Sequence, residues 1–165
     1  MRNPTAETFF KNGIAALSRR KPHQATSLFK AAVVVDRARR LSRPHMRYLS
    51  YYGLSLALAH GPTRAAIWAC EKAAAEDSFS PEVLMNLGKV LMMDGQETRA
   101  LSILEQGLRI APGNQALASE LADMDRRSSP PFRSLPRSNP LNRWVGRLKA
   151  SLLSARKGAP QEEAV

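Results

Sequence analysis

Along roughly the first 110 residues, apolar positions recur at helical spacing in runs of about a dozen, separated by short polar turns. One phrase is written three times within these runs. A glycine (Gly13, Gly53, Gly88) is followed twelve or thirteen residues later by an alanine (Ala25, Ala66, Ala100). A larger side chain stands four after that (Phe29, Cys70, Leu104), and another small one three further on (Ala32, Ala73, Gly107). The interval from glycine to alanine spans the end of one helix, a tight turn and the first turn of the next. The phrase therefore predicts a repeated helical hairpin. Its small residues lie where two helices cross at the usual 8–10 Å or so, and the larger residue fills the space between them.

The turns agree with this reading. Pro81 and Pro112 bracket the third copy and Gly95 supplies its turn, so this copy is the most regular. In the second, His60-Gly61-Pro62 places the turn one residue late, which accounts for the spacing of thirteen. In the first, Arg20-Lys21-Pro22 turns without glycine. The copies cover about residues 6–39, 46–80 and 81–114, and residues 115–127 read as a seventh helix that caps the last hairpin. Six extra residues between the first and second copies include Arg39, Arg40, Arg43 and Pro44. They lengthen the second helix until Pro44 stops it. With Arg37 they form either a solvated helix end or a basic ridge suited to phosphate.

The small/large/small signature resembles the tetratricopeptide repeat, a 34-residue helical hairpin. The resemblance covers residues 6 to 114 and implies an all-α fold: a solenoid of three hairpins with a capping helix. It also implies a groove lined by the first helix of each hairpin, through the second, fifth, ninth, twelfth and thirteenth slots of each unit. Here those slots hold Glu7, Phe10, Ile14, Leu17 and Ser18; then Arg47, Ser50, Leu54, Ala57 and Leu58; then Glu82, Met85, Lys89, Met92 and Met93. The candidate binding residues are accordingly Phe10, Ile14, Leu17, Arg47, Leu54, Leu58, Met85, Lys89 and Met92. Methionine's flexible, polarisable side chain suits a surface that accepts varied apolar ligands. Family members that grip a terminal carboxylate carry lysine and asparagine where this chain has Phe10 and Ile14, so that clamp is absent. The expected ligand is a protein or peptide segment that is apolar on one face.

Charge adds a second pattern. The chain carries a net +11, distributed as about +8 over residues 1–45, −4 over 46–125 and +7 over 126–165. Basic ends around an acidic middle favour contact with an anionic surface or between parts of the chain itself. Nucleic acid or anionic membrane is therefore the alternative partner. Aromatic residues are sparse among the basic ones, and no stacking platform is evident.

After Arg127 the composition changes. Four prolines fall within residues 130–140, which read as an extended linker over 128–139. Over 140–157, Leu141, Trp144, Val145, Leu148 and Leu152 lie on one helical stripe, with Arg143, Arg147 and Lys157 opposite. Residues 158–165 read as a disordered end. A lone helix of this length is marginal in water. Its expected supports are the chain's own repeats, a partner's groove or a membrane surface, in that order. The Pro-rich basic tail and the segment Arg47-Tyr-Leu-Ser-Tyr-Tyr-Gly53 are similar to small bacterial tetratricopeptide proteins, a similarity that implies no activity.

Catalysis is not expected. His23, His45 and His60 fall in turns or at helix ends with no carboxylate or thiol at metal-ligand spacing. Cys70, the one cysteine, excludes an intramolecular disulfide and takes a core slot. There is no phosphate-cradling glycine loop. No cofactor, metal or catalytic residue is nominated. With no stretch near the ~20 apolar residues of a membrane span and no leader pattern, the chain is expected to be soluble and cytoplasmic.

Overall fold

The computed structural model describes residues 4–38 and 45–127. They form seven helices: α1 (Ala6–Ser18), α2 (Pro22–Ala38), α3 (Met46–His60), α4 (Arg64–Glu76), α5 (Pro81–Met93), α6 (Glu97–Ile110) and α7 (Gln115–Arg127). The ridge residues Arg39, Arg40 and Arg43, the linker, and the tail residues Leu141, Trp144, Val145, Leu148 and Leu152 lie outside the described residues. No strand occurs among the described residues. At 17 residues, α2 is longer than its counterparts α4 and α6, at 13 and 14.

Local chemistry sets the helix ends. Thr5, Thr63 and Ser80 each accept a hydrogen bond from the backbone N–H three residues on, satisfying donors that a helix start leaves open. Asn114 Oδ1 does the same for α7, accepting from Ala116 and Leu117. Pro22 and Pro81 open α2 and α5, where a missing N–H costs nothing. Gly61 and Gly95 have φ of 84° and 75°, left-handed values that favour glycine, whereas the α1–α2 turn places Arg20 at φ 55°.

The hairpins α1/α2, α3/α4 and α5/α6 pack internally, and α2 packs on α3, α4 on α5 and α3 on α5. The small residues of the repeat allow the close crossings. A Cβ added to Gly88 would stand 2.5 Å from Leu104, one on Gly13 2.5 Å from the Phe29 ring, and one on Gly53 2.6 Å from Cys70 Sγ. Phe29, Cys70 and Leu104 are fully buried, as are Ala25, Ala66 and Ala100.

Two apolar clusters result. One joins Ala6, Phe10, Ala16, Ala25, Phe29 and Ala32 to Tyr48. The larger runs from Leu49 through α4, α5 and α6 to Leu117 and Met124 of α7, and Val33 and Tyr52 pack against both. The described residues up to Asp125 belong to one compact unit that contains every residue of both clusters. No helix among the described residues is long and apolar enough to cross a membrane.

Candidate functional site

The first helices of the hairpins share a face, and side chains from their slots meet there. Arg47 lies over the Phe10 ring, with Cζ 4.1 Å from the ring centre. Its Nε is 3.6 Å from Glu82 of α5. Tyr51, one turn after Arg47 on α3, donates its hydroxyl to the other Glu82 oxygen at 2.7 Å. Tyr48 donates to Glu7 at 3.0 Å, linking α3 back to α1. Lys89 of α5 pairs with Glu120 of α7 at 3.4 Å. These polar contacts link successive first helices along the face.

Burial and the neighbouring carboxylates set the phenol chemistry. Desolvation, then the hydrogen bond and charge of Glu7, pushes the Tyr48 pKa up to about 12. Burial and Glu82 raise Tyr51 as well, against the opposing charge of Arg47. Both phenols therefore donate at neutral pH.

The slots named from sequence fall into two groups. Phe10 and Leu54 are only 2% and 6% exposed, and Ser50 and Ala57 are buried too, so these four are core residues that offer a ligand little surface. Phe10 is enclosed by Phe29, Tyr48 and Tyr51, with ring centres 5.2–5.5 Å away. Ser50 Oγ accepts from buried Asn86 Nδ2 at 3.0 Å. Ile14, Leu17, Met85, Lys89 and Met92 are partly exposed. Leu58 and Met93, both in thirteenth slots, are each 43% exposed. The apolar slots that remain accessible are thus Ile14, Leu17, Leu58, Met85, Met92 and Met93.

Sequence reasoning passed over several residues that shape this face. Tyr48, Tyr51 and Glu120 have no place among the five slots, although the i, i+4 spacing of Arg47 and Tyr51 puts them on one side of α3. A cleft of about 210 Å³ is lined by Glu7, His45, Met46, Arg47, Tyr48 and Asp77. His45 and Asp77 were not nominated, and only the fold brings Asp77, at the end of α4, to the start of α3.

Arg37 is exposed near the end of α2. His23 and His60, read singly from sequence, meet edge to face with ring centres 4.9 Å apart, because the α3 C-terminus lies beside the start of α2. Cys70 is fully buried, and its thiol donates to the Ser50 carbonyl at 3.4 Å. Burial, with a smaller contribution from Glu71, pushes its pKa up to about 12, far from nucleophilic use. Among the described residues no three His, Cys, Asp or Glu side chains are grouped to hold a metal ion.

No family model and no curated protein matches the sequence. Solved structures do resemble the fold. The Sgt2 TPR domain from Aspergillus fumigatus superposes with a TM-score of 0.62 at 19% identity, covering 86% of this chain and 95% of that one. The first TPR domain of human RPAP3 gives 0.60 at 15% identity, covering 74% and 91%. The second TPR domain of human RPAP3, solved in complex with the HSP70 peptide SGPTIEEVD, gives 0.57 at 17% identity, covering 73% and 94%. With paired helices, glycine-marked crossings and a capping helix, this chain has the tetratricopeptide-repeat fold.

Proposed function

We propose that this chain is a non-enzymatic adaptor that holds an apolar or amphipathic segment of a protein partner in the groove formed by its first helices. The observation that carries this reading is the set of accessible apolar slots Ile14, Leu17, Leu58, Met85, Met92 and Met93, with Leu58 and Met93 each 43% exposed. Large apolar side chains left accessible along one face mark an interaction surface. The second RPAP3 domain shares the fold and was solved with a peptide, which supports a peptide ligand in general terms. Its peptide ends in three acidic or apolar residues and a terminal aspartate, whereas here Phe10 and Ile14 stand where a carboxylate clamp would begin, and the groove cations Arg47 and Lys89 are paired with Glu82 and Glu120. The groove suits an apolar stripe instead.

The chain's own 140–157 segment has that composition and is an intramolecular candidate for the same groove. The test uses a labelled peptide of residues 140–157 against the full chain and against a chain ending at Arg127, with fluorescence anisotropy as the readout. Saturable binding to the shorter chain that Leu58→Glu weakens by about tenfold or more supports the groove. Weaker binding to the full chain identifies the tail as a competitor for it. Absence of peptide binding, together with salt-steep binding of the full chain to RNA or anionic vesicles, would favour the alternative in which the basic ends engage phosphates.

A further inference from the structure

The cleft at the starts of α1 and α3 is poorly matched to an apolar ligand. Two carboxylates, Glu7 and Asp77, line it together with His45, Met46, Arg47 and Tyr48. The positive charge of Arg47 is already matched by Glu82 at 3.6 Å. Glu7 accepts the Tyr48 hydroxyl, which leaves its charge in place, and the cation paired with it among the described residues, Lys11, stands 4.0 Å away with a side chain 74% exposed. Such a pair is largely screened by solvent. Asp77 uses its backbone N–H and carbonyl in the α4 terminus and the turn beyond it, while its carboxylate has no hydrogen-bond or ion-pair partner among the described residues. At about 210 Å³ the cleft is smaller than the roughly 300–1,000 Å³ of small-molecule sites. It has the size of one long side chain. Glu7 and Arg47 both occupy second slots, so the cleft continues the groove.

We propose that this cleft receives a lysine or arginine side chain of the bound segment, so that the groove's ligand is an apolar stripe with a cation at the end lying over the start of α3. This rests on the groove binding a segment at all. The aliphatic stem of the cation lies along Met46, and its charged head is shared by Glu7 and Asp77. An acidic residue at the same place meets two like charges, which supplies selectivity by repulsion.

The experiment compares two labelled peptides on the chain ending at Arg127, which keeps both apolar clusters. One has the 140–157 sequence; the other replaces its arginines with citrulline and its lysines with acetyl-lysine. The neutral peptide is expected to bind about tenfold more weakly, and Asp77→Asn to reduce that difference to about threefold or less by weakening only the charged peptide. Glu76→Gln, next to the cleft but outside it, leaves the difference intact. Equal affinity of the two peptides, or an equal effect of Asp77→Asn and Glu76→Gln, overturns the cation site while leaving the groove standing. If neither peptide binds, the groove reading fails and butylguanidinium decides the cleft. Saturable NMR shifts at Tyr48 and His45 that Asp77→Asn removes support the site, and their absence overturns it.

Discussion

Arg47 covers Phe10: its guanidinium carbon stands 4.1 Å from the centre of the ring, and the ring is 2% exposed. The contact joins α1 to α3, and the Arg47–Glu82 pair extends it to α5. One side chain thus ties three repeats together while closing a groove slot that would otherwise present an aromatic ring.

Arg47→Ala removes this cover. A cation–π contact at an exposed site is worth about 0.5–1 kcal/mol, and the half-exposed pair with Glu82 adds at most a similar amount. The expected result is a loss of about 1 kcal/mol in urea denaturation, with increased binding of a hydrophobic dye. Unchanged dye binding would show that the ring stays covered without Arg47.

Glycine-to-alanine substitutions should change sign along the chain. At Gly53 a Cβ would lie 2.8 Å from the Ala66 carbonyl oxygen, a backbone atom that cannot swing aside. Overpacking of this kind costs about 1–3 kcal/mol. At Gly113 a Cβ meets nothing within 4 Å and φ is not left-handed, so alanine stabilises by about 0.4–1 kcal/mol through the unfolded chain. Thermal denaturation of Gly53→Ala and Gly113→Ala checks both signs.

The Asn86–Ser50 hydrogen bond is buried at both ends. Ser50→Ala strands the Asn86 amide and should cost about 1–3 kcal/mol. A double-mutant cycle with Asn86→Ala should show strong coupling, because the two residues share one bond. Additive losses would contradict the contact.

Stability should fall at high pH. The Cys70 thiol titrates near 12 in the fold against an ordinary value of 9.0, so above pH 9 the unfolded chain ionises and the folded one does not. Each pH unit through that window then costs about 1.4 kcal/mol. Tyr48, raised from 10.0 to about 12, adds the same sign of effect from pH 10 upward. The urea midpoint should therefore decline from pH 9. Cys70→Ala should flatten the slope between pH 9 and 10 while lowering the baseline.

Much of the fold was legible because the repeat is written in local terms. Gly88, Ala100 and Leu104 have to be small, small and large for two adjacent helices to cross, and the 2.5 Å approach at Gly88 is the structural form of that requirement. The turns were legible for the same reason, since Gly61 and Gly95 sit at left-handed φ. The candidate site was legible in part. Three of the slots, Phe10, Arg47 and Glu82, meet in the fold, but Phe10, Ser50, Leu54 and Ala57 are core residues, whereas Leu58 and Met93 remain open.

The sequence by itself determined the all-α repeat, its crossings and its turns, because these depend on the 3.6-residue helix and on steric fit between neighbours in the chain. Only the tertiary structure decided which groove slots reach solvent. It also set Arg47 over Phe10, paired His23 with His60 and brought Asp77 into a cleft with Glu7. The contacts responsible link residues far apart in the chain, 41 apart for Glu7 and Tyr48 and 31 for Tyr51 and Glu82. The angle at which one hairpin stacks on the next sets such contacts, and no periodicity within a single helix encodes that angle.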